Sequence, residues 1–205
     1  MNSIIDAAAV LDTAANTSRA AQKGASVWPK ILALLEQSHD EDRAHTWDVY
    51  LSWMGGEAMR SKNYQAAFTA YSKAAALKGD NAAYYAGCGA AYYHLGNYKN
   101  SGDFFGKAAA AAELSGSKIF TVQFQAGRGS ALFKLTRYEE AVAAFSYAIA
   151  EASSSAAAEL YNARAACYQK LKIDDKARSD INAAAKAPKT SGERIRGVPL
   201  PEPRK

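Results

Sequence analysis

The sequence predicts an all-α fold built from stacked antiparallel helix pairs, and two observations in it lead there. Three segments are near copies of one another: Asn63 to Ala74, Asn97 to Ala108 and Arg137 to Ala148. Each sets a small residue (Ala67, Ser101, Ala141), then a large ring four places on (Tyr71, Phe105, Phe145), then alanine three places later (Ala74, Ala108, Ala148). Steps of four and three stay on one face of an α-helix. In addition, Gly55, Gly89 and Gly129 precede Tyr64, Tyr98 and Tyr138 by the same interval. Each copy therefore reads as two helices, the first offering a residue without bulk where the second crosses it. A short unit of this kind cannot bury its apolar face alone, so neighbours must stack, and recognition at a surface is the default activity of such a stack.

Residues 1–45 are expected to form an N-terminal helical cap. Ile4, Ile5, Ala8, Leu11 and Ala15 make one apolar stripe, and Ser26 with Pro29 suits the opening of a second helix through Ile31, Leu32, Leu34 and Leu35. The run His39-Asp40-Glu41-Asp42, with His45, reads as a polar linker ahead of a helix start at Thr46. Metal ligation would need those side chains to converge at fixed distances, and no metal site is expected. Residues 46–187 then hold about four helix pairs, at 48–81, 82–115, 122–155 and 158–187. The fourth pair repeats the pattern with Ala165, Ala177, Ile181 and Ala184. Extra residues between pairs, around Glu113 to Ser117 and Ala152 to Ser155, leave the packed faces alone. Residues 188–205 carry Pro188, Pro199, Pro201 and Pro203, and proline cannot continue a helix because it lacks the donor and clashes with the preceding turn. An extended tail is expected there.

The pattern resembles the tetratricopeptide repeat, a unit of 34 residues. Tyr64 to Tyr98 spans 34 residues, Tyr98 to Tyr138 spans 40 and Tyr138 to Asp174 spans 36. The resemblance covers about Asp48 to Ala187. It departs from the usual pattern at Met54, where tryptophan or leucine is common, at Gly79, where a proline usually closes the unit, and at Asp174, where an aromatic is expected. It implies a right-handed superhelical solenoid of antiparallel helix pairs and a non-catalytic scaffold or adaptor, a subunit of a larger assembly. The family's clamp for a chaperone carboxylate terminus is missing. In one frame its positions hold Ser52, Gly56, Gly87, Gln123 and Gly127, and one copy later they hold Ala86, Ala90, Gly127, Glu159 and Ala163.

First helices line the concave side of such stacks. Five places after each small crossing residue come Arg60, His94, Lys134 and Lys170, and directly before them Met59, Tyr93, Phe133 and Gln169. This set is the expected protein-binding groove, suited to an acidic segment with apolar anchors. Charge would steer the encounter and rings would supply most of the holding energy. The same basic residues also complement the dipole at a helix end, which is their plainer reading.

The formal net charge is +5. The tail alone contributes +3 of it: Lys189, Arg194, Arg196, Arg204 and Lys205 against Glu193 and Glu202. The body is thus only mildly basic and carries no nucleic-acid footprint. A helical-repeat RNA-binding protein is the alternative reading, but Ser52, Ala86, Ala126 and Asn162 offer no repeated polar code for bases. Arg194, Ile195, Arg196, Val198 and Leu200 are expected to let the tail dock, the apolar three as anchors. Cys88 and Cys167 have no metal-binding spacing and read as buried thiols. No cofactor, small-molecule substrate or membrane span is expected. Asp6 and Asp12 within the first apolar run argue against a secretory signal, and a cytoplasmic setting follows, with organellar or cytoskeletal assemblies as further settings.

Overall fold

The computed structural model describes residues 41–152, 154–187 and 198–203. Among these residues there are eight helices and no strand: α1 (Glu41–Arg60), α2 (Tyr64–Leu77), α3 (Ala82–His94), α4 (Tyr98–Leu114), α5 (Lys118–Lys134), α6 (Tyr138–Glu151), α7 (Ser154–Lys170) and α8 (Asp174–Lys186). The chain divides into two compact units between Gly79 and Asp80, with α1 and α2 in the first and α3 to α8 in the second. The cap expected over 1–45 lies outside the described residues apart from its last five. Those five belong to α1, so the helix expected to open at Thr46 begins at least as early as Glu41. Glu41, Asp42, Arg43 and Ala44 contain no helix breaker, and nothing in them stops the helix short of Thr46.

Asparagine opens three of the helices. Asn63, Asn81 and Asn97 accept, through their side chains, the amides of Ala66 (3.2 Å), Ala83 (3.0 Å) and Asn100 (3.3 Å), satisfying donors that have no partner within the helix. Where Arg137 and Ile173 occupy that place and supply no such bond, acids fill the first turn instead: Glu139 and Glu140 on α6, Asp174 and Asp175 on α8. First helices end alike. The amides of Asn63, Asn97, Arg137 and Ile173 reach back to the carbonyls of Ala58, Tyr92, Leu132 and Tyr168 at 2.8, 2.9, 3.0 and 2.9 Å. This wrap requires one left-handed residue, and Lys62, Gly96, Thr136 and Lys172 take that conformation.

Only Gly96 adopts it without a Cβ penalty. Thr136, β-branched and at φ 60°, is the most strained of the four. It is exposed, and its hydroxyl bonds only the neighbouring Leu135 carbonyl at 2.6 Å. Thr136→Gly is therefore expected to stabilise the protein by about 1 kcal/mol, relief of strain outweighing the extra freedom of the unfolded glycine. A thermal melt should rise by about 2–4 °C, and a fall would show that the turn is not strained.

The crossings are shaped by glycine. A Cβ added to Gly55 would stand 2.8 Å from the Tyr71 ring, one on Gly89 3.0 Å from the Phe105 ring, and one on Gly129 2.8 Å from the Phe145 ring. The three rings thus sit against three bare backbones at one repeated interval. Phe105 is also held from the next pair, because a Cβ on Gly127 would come within 2.8 Å of it. In the second unit each helix packs on the next, and the first helices also meet in a row, α3 on α5 and α5 on α7. A buried cluster joins α5, α6 and α7 through Val122, Ala126, Leu132, Phe145, Leu160 and Cys167.

The last pair is fastened differently. Arg164 on α7 donates two hydrogen bonds to the Asp180 carboxylate of α8, both at 2.8 Å, and a third to the Ser146 hydroxyl of α6 at 2.9 Å. The side chains are 18% and 7% exposed. The rings of Tyr161 and Tyr168 lie 5.7 and 5.8 Å from the guanidinium carbon, and the Asp180 bond holds the Arg164 pKa above its usual value.

Candidate protein-binding face

Tyr93 and Phe133 stand four residues beyond Gly89 and Gly129, in the last turns of α3 and α5. Each meets the tyrosine that opens the following helix. Tyr93 and Tyr98 have ring centroids 5.2 Å apart at 69°, and Phe133 and Tyr138 are 5.3 Å apart at 65°. These are edge-to-face pairs, the arrangement that ring quadrupoles favour. Tyr93 and Phe133 are accordingly part of the hairpin turn. Gln169 on α7 is half-buried, while His94, Lys134 and Lys170 beside these three are exposed. Because α3, α5 and α7 lie in a row, these helix-end basic residues fall toward one edge of the first-helix layer. In the first unit Met59 is half-buried, and Arg60 is exposed and ion-paired with Glu57 of its own helix. All four basic residues close a helix, so they complement helix dipoles whatever else they do.

The layer of the second unit is covered in part by the chain itself. Val198 is 6% exposed, Leu200 packs against the α5–α7 cluster, and Tyr93, 7% exposed, donates a hydrogen bond of 3.4 Å to the Pro199 carbonyl. Burial, with Tyr98 alongside, pushes the Tyr93 phenol up to about 12. It is therefore a protonated donor at neutral pH. Of the tail residues singled out in the sequence, Val198 and Leu200 lie on the stack, while Arg194, Ile195 and Arg196 fall outside the described residues.

The remaining chemistry is sparse. Cys88 and Cys167 are free and buried, and burial raises both thiols to about 12, so neither is a nucleophile at neutral pH. Among the described residues, no three His, Cys, Asp or Glu side chains gather as metal ligands, and no helix is long and apolar enough to cross a membrane. The side chains of His39 to His45 are outside the described set. An apolar group the sequence reading did not mark sits around the α4–α5 turn: Leu114, 91% exposed, with exposed Ile119 and Phe120.

Solved structures share this arrangement of helices. One crystal structure of the MamA protein is 16% identical, covering 78% of this chain and 79% of that one with a TM-score of 0.64. Its neighbours in fold, MamA among them, are tetratricopeptide-repeat structures. The fold is a tetratricopeptide-type helical repeat. BtubC (BKLC) from P. vanneervenii is 12% identical over 84% of this chain and 79% of that one, TM-score 0.65, and a MamA structure labelled MSR-1 is 18% identical over 89% and 96%, TM-score 0.60. Identities this low speak for the fold alone. Neither a protein-family model nor a curated protein sequence matches this chain. Within the tetratricopeptide fold, Gly55, Gly89 and Gly129 fill one role three times, and Met54, a departure from the usual pattern, is fully buried in it.

Proposed function

We propose that this chain is a non-catalytic protein-interaction scaffold, a subunit of a larger cytoplasmic assembly. In this reading the first-helix layer of α3, α5 and α7 holds a segment of a partner protein. The observation that supports it is that residues 198–200, in a piece of chain without helix or strand, are held on the stack: Val198 is buried, Tyr93 of α3 bonds the Pro199 carbonyl and Leu200 packs on the α5–α7 cluster. A surface that accepts one such segment has the apolar hollows and the donor that another would use. His94, Lys134 and Lys170 along its edge would steer a segment carrying acidic residues. The first pair would add Met59 and Arg60 as its own patch.

The test is to identify the partner by affinity purification and mass spectrometry, then to measure its affinity by titration calorimetry for the wild type and for Lys134→Glu/Lys170→Glu. Reversing two edge charges should weaken binding at least about tenfold, with the loss growing as salt is lowered. Unchanged affinity would remove the groove from the proposal. Titration of single-stranded RNA serves as a control, since binding there would fall steeply with rising salt and would favour the RNA reading.

A further inference from the structure

We infer that the first-helix layer of α3, α5 and α7 is a receptor for a proline-punctuated apolar segment bearing an acidic residue, and that residues 198–203 are its resident competitor. This deepens the scaffold reading and rests on it. The segment Val198-Pro199-Leu200-Pro201-Glu202-Pro203 alternates proline with an apolar or acidic residue. Proline fixes φ and removes the backbone donor, so the segment is held extended before it binds and loses little freedom on docking. With half of its amides missing, it cannot pair as a strand. It has carbonyls to offer, and the receptor must bring the donor.

The layer supplies that donor in Tyr93, whose hydroxyl bonds the Pro199 carbonyl. Val198 is buried and Leu200 packs against the α5–α7 cluster, while Glu202 remains exposed. The occupied features are thus two apolar anchors two residues apart, one carbonyl between them, and a free carboxylate beyond. A partner segment of the same chemistry would fit the same contacts, and its acid would extend into solvent as Glu202 does.

The hold of the tail is of an exchangeable kind. The hydrogen bond is long, at 3.4 Å. Because the segment belongs to the same chain as the face, its docking is intramolecular and carries an effective concentration of its own. An external ligand must compete with it, and its apparent affinity falls by the fraction of molecules whose face is open.

The experiment uses the full chain and a fluorescein-labelled hexapeptide with the sequence of residues 198–203, read by anisotropy. The variant Val198→Asp/Leu200→Asp, its fold checked by circular dichroism, should bind the peptide at least about tenfold more tightly than the wild type, whose own tail occupies the face. A control peptide with alanine in place of the three prolines should bind the variant several-fold more weakly. If both peptides bind alike, the proline preference fails and the scaffold reading stands; if neither binds, the receptor is overturned, while the scaffold reading is decided by the partner titration. Equal affinity for wild type and variant overturns the resident competitor. A second measurement needs no variant: in wild-type protein carrying ¹³C-labelled leucine methyls, millimolar unlabelled peptide should shift the Leu200 signals to their free-chain positions. Leu200 signals that stay in place would overturn the exchange.

Discussion

Phe105→Ala is expected to destabilise the second unit by about 3–5 kcal/mol, the usual range for truncating a buried phenylalanine. The ring is 3% exposed and is lodged between Gly89 of its own hairpin and Gly127 of the next. Both walls are backbone, so neither can collapse into the space the ring leaves. For a chain of this length the melting temperature should fall by about 6–20 °C, read by circular dichroism. A companion change approaches the same contact from the other side. In Gly127→Ala the new methyl would stand 2.8 Å from the ring, which Gly89 prevents from retreating, at an expected cost of about 1–3 kcal/mol. Phe105→Leu/Gly127→Ala should then lose less than the sum of its parts, since the smaller side chain makes room for the methyl. A melt unchanged within about 2 °C for Phe105→Ala would contradict the packing described.

Removing Arg164 should be about as damaging. Arg164→Met keeps the aliphatic stem but leaves the Asp180 carboxylate, 7% exposed, without its cation, and stranding one partner of a buried pair typically costs about 3–5 kcal/mol. The Ser146 hydroxyl loses its donor in the same step. The pair as a whole is worth far less than that figure, because taking both charges out of water offsets most of their attraction. Arg164→Met/Asp180→Leu is therefore expected to recover to within about 1 kcal/mol of wild type. A urea-denaturation cycle over the four proteins separates the two statements. A single-variant loss below about 1 kcal/mol would show that the pair is solvated after all.

The alternation of glycine and ring was readable because it rests on bulk, and bulk shows in residue type. Gly55, Gly89 and Gly129 met Tyr71, Phe105 and Phe145 as their spacing required. Gly127 stood out only as an occupant of the clamp positions, because the repeat spacing marks Gly129 alone, yet each glycine receives a different ring. Arg164 and Asp180 lie at the same separation as Gly129 and Phe145, one step earlier in the repeat, but charged residues carry no sign that they will be buried together. The left-handed turns at Lys62, Thr136 and Lys172 were hidden for the opposite reason: glycine is their usual marker, and of the four first-helix ends that share the turn only Gly96 displays it. For the proposed binding face, the offsets marked Tyr93 and Phe133, while their edge-to-face partners Tyr98 and Tyr138 stood out only as repeat markers. The apolar anchors of the tail were visible as Val198 and Leu200, but two side chains carry no address. Their destination depends on Tyr93 and on hollows that exist only once three first helices lie in a row.

A ring shared by two hairpins ties the fate of one to the other. If the α3–α4 hairpin swings open, the hollow around Gly127 empties as well, and if α5 leaves, Phe105 loses a wall although its own hairpin is intact. Fluctuation in this part of the stack is thus collective, and no hairpin from α3 to α6 can melt in private. The α7–α8 hairpin, where Ile181 takes the place of a ring and an ion pair does the fastening, is the natural place for fraying to begin.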